Sequence, residues 1–131
     1  MTVPGAPCPF CDRVDSGVVF ASGEHAVAFA DAFPLNAGHT LVVPRSHVDG
    51  LFSLPAPEVE GVWRLVAEVR GSLAREHRPD GFTIGVNDGI AAGQTVAHAH
   101  VHVIPRSAGD VDDPRGGIRW VVPARARYWS T

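Results

Sequence analysis

The most regular pattern in the sequence is an alternation of polar and apolar residues over positions 98–103, where three histidines are separated by alanine and valine. A period of two is typical of a β-strand, because successive side chains of a strand point to opposite faces. The pattern therefore predicts a strand that carries its histidines on one face and directs its small apolar residues towards a core. The histidines are His98, His100 and His102.

Short apolar segments bounded by glycine, proline and small polar residues predict the remaining strands. One of these segments is apolar almost throughout, which is typical of a strand in the middle of a sheet, and it covers residues 40–44. The full set of predicted strands is 17–21, 26–30, 40–44 and 82–87, and the first two form a hairpin through a turn at 22–25.

A longer segment, residues 57–78, repeats its apolar residues at the i, i+3, i+4 and i+7 spacing of an amphipathic helix. Glutamates near its start and basic residues near its end suit the helix dipole, and a proline and a glycine follow it. Residues 1–16 are expected to form an irregular N-terminal arm, and residues 107–131 a C-terminal tail with a short extended segment. The pattern as a whole predicts one α+β domain over residues 1–131.

Composition narrows the classes of function that are open to the chain. Apolar residues make up 45% of the 131 positions and charged residues 19%, which is typical of a globular protein. The formal net charge of −3 argues against binding to a nucleic acid polymer, although a single nucleotide is compatible with it. The chain contains no lysine, which excludes Schiff-base chemistry and a Walker A phosphate loop.

The N-terminal residues and the cysteine pair bear on the location and the redox state of the protein. The first residues lack the cationic and apolar segments of a signal peptide, and no stretch approaches the ~20 apolar residues of a membrane span. We therefore expect a cytoplasmic protein with no membrane partner. Cys8 and Cys11 form a Cys-x-x-Cys pair that is either half of a metal site or a redox pair. Its position in a proline-rich segment, rather than between a strand and a helix, favours metal.

The three aligned histidines admit two chemistries. Two of them could chelate a metal with a third ligand from elsewhere, or a neutral imidazole with a pKa near 6.5 could act as a nucleophile. The preceding Gly93, Gln94 and Thr95 offer backbone amides, a side-chain amide and a hydroxyl that suit a phosphate. Because no carboxylate cluster accompanies them, attack of histidine on phosphorus is favoured. Asp31, at the end of a predicted strand, either binds ribose hydroxyls or forms a turn through its own side chain.

Residues 93–106, Gly-Gln-Thr-Val-Ala-His-Ala-His-Val-His-Val-Ile-Pro-Arg, resemble the signature of the histidine triad superfamily, His-φ-His-φ-His-φ-φ. Residues 29–31, residues 38–44 and Asn87 match the superfamily in the same order. The resemblance implies an α+β fold with a five-stranded, mostly antiparallel sheet and one long helix. It also implies a homodimer whose sheet continues across the interface.

The resemblance further implies an enzyme, a nucleotide hydrolase or transferase that acts at the α-phosphate. Its substrate would be a purine, AMP-type nucleotidyl conjugate such as an adenosine phosphoramidate or a dinucleoside polyphosphate. The reaction would pass through a covalent nucleotidyl-histidine intermediate and need no obligatory catalytic cofactor. A nucleotide-binding regulatory protein with vestigial turnover is the alternative, and a metalloenzyme that uses the triad as ligands is a third hypothesis.

Residue by residue, the resemblance makes His100 the nucleophile and gives His98 the task of orienting it through its backbone carbonyl. His102, Gln94 and Thr95 are expected to contact the phosphate. Asp31 is expected to bind ribose, and His39 to support the triad. The other substrate-binding positions that it implies are Ala32, Asn87 and Gly93.

The resemblance also gives the cysteine pair a role. Bacterial members of the superfamily that this chain resembles carry a structural zinc held by a Cys-x-x-Cys pair and two histidines. The matching positions here are Cys8, Cys11, His47 and His98. Two cysteines and two histidines suit a tetrahedral structural zinc site. The aromatic residues of the C-terminal tail, Trp120, Tyr128 and Trp129, carry no assignment from the resemblance. We expect them either to close over the nucleotide site or to pack across the dimer.

Overall fold

A five-stranded antiparallel sheet with the strand order β1-β2-β3-β5-β4 organises the protein in our computed structural model, which describes residues 7–131. The strands are β1 (Ala21–Ser22), β2 (Ala26–Ala30), β3 (Thr40–Pro44), β4 (Gly81–Gly85) and β5 (Val101–Arg106). The helices are α1 (Pro9–Ser16), α2 (Ala56–His77) and α3 (Pro123–Ala126). Single 3-10 turns lie at Leu51–Ser53, Ile90–Ala92 and Gly117–Val121.

The apolar faces of the sheet build two cores, one on each side. Helix α2 covers one face, and its stripe of buried residues packs on β2, β3 and β5 and on Ala99 just before β5. On the other face, Val27, Phe29, Leu41 and Val43 form a smaller cluster against which Phe10 of α1 packs. All five residues of β3 are buried, as expected of the central strand. The sheet therefore separates the long helix from the face that carries the histidines.

The N-terminal arm is the clearest correction to the sequence analysis, because Pro9–Ser16 forms helix α1 rather than an irregular segment. The Cys8 sulfur accepts a hydrogen bond from the Cys11 amide at 3.3 Å and so caps the helix start. Proline is favourable in the first turn of a helix, where its missing N–H has no partner to lose. Gly17, at φ 72°, ends the helix in a conformation that favours glycine. Residues 1–6 of the predicted arm lie outside the described residues.

Further boundaries differ from prediction, and β4 covers Gly81–Gly85 rather than residues 82–87. The first strand covers only Ala21–Ser22, although the Phe20 amide before it still donates to the Ala28 carbonyl at 2.7 Å, and Gly17 of the predicted segment caps α1. The histidine strand pairs only from Val101, since the Ala99 amide donates to the Val48 carbonyl at 2.8 Å instead of to the sheet. The expected extended segment in the C-terminal tail is instead the turn Gly117–Val121 followed by α3. Within residues 7–131, no helix is both long and apolar enough to cross a membrane.

Candidate active site and metal centre

The histidine-bearing face of the sheet borders a cavity of about 530 Å³. His100 and His102 line it together with Thr95 and Asn87 from the preceding loop and strand end. A second part of its lining is apolar and comes from α1, β2 and β3, namely Phe10, Phe29 and Leu41. The cavity therefore combines polar groups that suit a phosphate with an aromatic wall that suits a base.

His100 has the geometry of a nucleophile. Its Nδ1 lies 2.8 Å from the backbone carbonyl of His98, and a carbonyl can only accept, so Nδ1 carries the proton. The Nε2 atom then keeps its lone pair. The residue is 7% exposed and its ring meets Phe10 edge-on at 4.9 Å between centroids, which restricts the imidazole to this orientation. The carbonyl contact expected from the resemblance is thus present.

His39 and His102 form a directed chain of hydrogen bonds. The Leu35 amide donates to His39 Nδ1 at 3.1 Å, so the His39 proton lies on Nε2. That Nε2 donates to His102 Nδ1 at 2.9 Å, which leaves the His102 proton on its own Nε2. Burial lowers the pKa of His39, against the opposing effect of Asp31, and lowers that of His102 to about 4. Both imidazoles are therefore neutral at pH 7, and His102 presents an N–H donor.

Asp31, His39 and His102 bring three potential metal ligands within 4.8 Å of one another. A metal would need a lone pair on His39 Nε2, which the Leu35 amide disfavours by fixing the lone pair on Nδ1. The hydrogen-bond chain accounts for the cluster without an ion. Asp31 adopts the side-chain turn that was one of the two alternatives predicted for it, and ribose binding stays a prediction. Its Oδ1 accepts from the Phe33 amide at 2.8 Å in a side-chain turn, while the residue and its neighbour Ala32 line the cavity.

Gln94 does not line the cavity, unlike its neighbours Gly93 and Thr95. Its Oε1 accepts from the Gly89 amide at 2.9 Å, and its Nε2 donates to the Asp49 and Val96 carbonyls at 2.8 and 3.0 Å. The side-chain contact with phosphate that the sequence suggested is therefore not available in this arrangement, because every polar atom of the side chain is engaged. Gln94 instead fixes the shape of the loop that presents Gly93 and Thr95.

Cys8, Cys11, His47 and His98 converge on one point at the edge of the cavity wall. The His98 Nδ1 lies 3.4 and 3.5 Å from the two sulfurs, and the Cys11 sulfur lies 3.1 Å from His47 Nδ1. Tetrahedral zinc with bonds of about 2.0–2.3 Å places its ligands roughly 3.3–3.8 Å apart, close to these distances. His98 Nε2 donates to the Pro44 carbonyl at 2.9 Å, so the lone pair of Nδ1 faces the thiols. The donor set fits a structural zinc ion.

The redox alternative for the cysteine pair fits less well. Burial, followed by the neighbouring Cys8, raises the pKa of the Cys11 thiol to about 11 in the absence of metal. Catalytic redox pairs depend on a thiolate that forms at or below neutral pH, and therefore on a lowered pKa. A metal ion would displace the thiol proton and remove this penalty.

The lining residues that the sequence analysis did not name as site residues include Phe10 and Arg13 of α1. They lie one turn apart on α1. The sequence analysis missed them because the proline-rich composition of this segment did not predict a helix. The C-terminal aromatics, in contrast, do not line the cavity of the single chain. Trp129 packs against Arg115 and Tyr128, which corrects the expectation that the tail closes over the site within one chain.

Comparisons with known proteins find a family model, relatives and solved structures that are similar to this chain. The family model described as HIT domain matches residues 13–109. An uncharacterized HIT-like protein of Mycoplasma genitalium is 37% identical over 102 residues, which cover 76% of this chain and 72% of that protein. The asymmetrical bis(5'-nucleosyl)-tetraphosphatase of Schizosaccharomyces pombe is 35% identical over 95 residues, covering 72% and 52% respectively. The crystal structure of a zinc-bound histidine triad family protein from Mycobacterium smegmatis superposes with a TM-score of 0.68 at 38% identity, covering 79% and 77%.

Proposed function

The chain belongs to the HIT domain (histidine triad) family, and from this membership we propose that it cleaves or transfers a purine nucleotidyl group at the α-phosphate. The observation that carries the proposal is the hydrogen bond from His100 Nδ1 to the His98 carbonyl, which leaves Nε2 unprotonated beside the cavity. An imidazole held in this tautomer is a competent nucleophile at neutral pH. Relatives include the asymmetrical tetraphosphatase of Schizosaccharomyces pombe, which supports the choice of substrate class.

In the first step, the lone pair of His100 Nε2 forms a bond to the α-phosphorus. The bond from phosphorus to the leaving group breaks, and the leaving group departs with its electron pair. The imidazole of the intermediate carries a positive charge, which the His98 carbonyl stabilises at Nδ1–H. In the second step, water attacks phosphorus, the nucleoside monophosphate leaves, one proton is released, and His100 returns to its neutral form. Another nucleophile in place of water would make the reaction a transfer.

The surrounding groups bind and orient the nucleotide in this proposal. His102 donates its Nε2–H to a phosphate oxygen, as do the Thr95 hydroxyl and the backbone amides near Gly93. Asp31 accepts from the ribose hydroxyls through Oδ2, because Oδ1 is already bound to the Phe33 amide. Asn87 completes the polar lining at the same end. Gln94 acts through the loop and is a positioning residue.

A zinc ion would be held by Cys8, Cys11, His47 and His98, where it would supply a structural cross-link and no catalytic chemistry. The cross-link joins α1 to the segments that follow β3 and precede β5. The imidazole of His98 is then occupied by the metal, while its backbone carbonyl remains available to His100. In this proposal the zinc ion would be structural, and residues of the chain would carry out the reaction.

The test is a substrate panel of an adenosine phosphoramidate, a guanosine phosphoramidate and dinucleoside polyphosphates, assayed with wild-type protein and His100→Ala. We expect His100→Ala to lose about three or more orders of magnitude in kcat, because no other group replaces the nucleophile. With α-³²P-labelled substrate, the wild-type protein should form an acid-labile labelled adduct that His100→Ala does not form.

His25→Ala is the matched control, because His25 packs against Gly61 of α2 and lies outside the cavity lining. It should retain wild-type turnover. A fully active His100→Ala protein would refute covalent catalysis. Nucleotide binding without measurable turnover of any substrate in the panel by the wild type would instead establish the regulatory alternative.

A further inference from the structure

Arg13 is the one arginine among the residues of the described chain that line the cavity. Its guanidinium carbon lies 4.5 Å from the centroid of the Phe29 ring, a cation–π contact. Within residues 7–131, no acceptor forms a hydrogen bond with this guanidinium, so no described residue occupies its N–H donors. Such an arginine recognises pairs of hydrogen-bond acceptors specifically, because its N–H donors are fixed in one plane.

The ring contacts of the cavity wall show which part of a nucleotide Arg13 would meet. His100 contacts the Phe10 ring at 4.9 Å, Phe10 contacts Phe29 at 5.6 Å, and Phe29 carries Arg13. Two phenyl rings thus separate Arg13 from the nucleophile. With the α-phosphate at His100 and the ribose at Asp31, the base is left to stack on this aromatic wall. Arg13 then faces the edge of the base rather than the phosphate.

We propose that Arg13 selects the nucleobase and favours guanine over adenine. Guanine presents two adjacent acceptors, O6 and N7, which a guanidinium binds with two parallel hydrogen bonds. Adenine presents N7 beside an amino group, whose N–H would oppose the arginine donors. The inference rests on the proposed function, because that function sets the position of the base. It departs from the AMP-type substrate that the family resemblance implies.

The experiment measures the equilibrium binding of GMP, IMP and AMP to the zinc-loaded protein by titration calorimetry. Wild-type protein should bind GMP and IMP about tenfold to a hundredfold more tightly than AMP, the range expected for one bidentate contact. Arg13→Met keeps the length of the side chain and its packing on Phe29 but removes the donors. It should therefore bind all three nucleotides with nearly equal affinity, while Arg13→Lys should retain a reduced preference for GMP.

Arg70→Met is the matched control, because Arg70 makes a similar contact with Phe82, 4.8 Å from its ring, away from the cavity. Its nucleotide preference should equal that of the wild type. An equal loss of GMP and AMP affinity in Arg13→Met would assign Arg13 to the phosphate and overturn the inference, as would an unchanged preference or a wild type that prefers AMP. A wild type that binds none of the three nucleotides would overturn the proposed function itself. Zinc content and circular dichroism confirm that each variant is folded.

Discussion

At the scale of single residues, the three aligned histidines differ in the atom that carries the proton. His98 donates from Nε2 to the Pro44 carbonyl, and His100 donates from Nδ1 to the His98 carbonyl. His102 accepts at Nδ1 from His39 and so carries its proton on Nε2. Alternation in the sequence predicts that the three share a face, but their partners come from distant segments. The distinct tautomers therefore could not be deduced from the spacing.

The depressed pKa values of His39 and His102 make the stability of the protein depend on pH. In the unfolded chain both titrate near 6.5, whereas burial lowers the pKa of His102 to about 4 in the folded protein. Between these values the unfolded chain binds more protons than the folded one. The stabilising contribution is thus complete above pH 6.5 and is lost as the pH falls towards 4.

We expect the free energy of unfolding in urea to decrease from pH 6.5 to pH 4 and to depend less on pH in a His102→Phe variant. His77→Phe is the control for the same substitution elsewhere, because His77 lies at the end of α2 and outside the cavity lining. An equal pH dependence in wild type and His102→Phe would contradict the assignment to His102.

At the scale of elements, apolar periodicity predicted the strands and the helix whose apolar residues form the core. Strands β2 and β3 were placed at their observed bounds, and α2 begins and ends within one residue of prediction. Helix α1 could not be predicted from apolar periodicity, because a cysteine sulfur caps it and Phe10 packs it against the sheet through contacts with distant segments. The paired part of β5 begins late because the Ala99 amide turns to the Val48 carbonyl, a contact between distant segments. Phe10 and Arg13 were missed as site residues because they lie on this unpredicted helix.

Helix α1 would link the proposed metal site to the proposed nucleotide site, because Phe10 lies between the two cysteines and lines the cavity. We expect the purified protein to contain one zinc ion per chain, and Cys8→Ala to contain about none. Loss of the metal should release the aromatic wall and weaken nucleotide binding by about tenfold or more, as one stacking contact is lost. Elemental analysis and titration with GMP measure the two effects.

Ser16→Ala serves as the control on the same helix, because Ser16 is exposed and caps only the helix end. It should keep both zinc and affinity. Zinc-free wild-type protein with a full complement of reduced thiols would refute the metal centre. Wild-type affinity in metal-free Cys8→Ala would separate α1 from nucleotide binding.

At the scale of the whole molecule, the sheet ends in two different edges. Strand β1 is two residues long, whereas β4 presents five residues and is the edge next to β5. A sheet that continues into a second copy, as the family resemblance implies, requires an edge of this length. We therefore expect a homodimer joined at β4, with a mass twice that of the chain in light scattering. A monomer at micromolar concentration would contradict this prediction.

His98 offers its ring to the candidate metal site and its carbonyl to His100, the proposed nucleophile. The ring is a property of histidine alone, but every amino acid carries a carbonyl. Position 98 therefore has two roles, and only the role of the ring requires that the residue be histidine. A metal-free version of this protein would not need histidine there to orient His100. It would need a buried side chain that keeps the peptide bond after residue 98 in its present position.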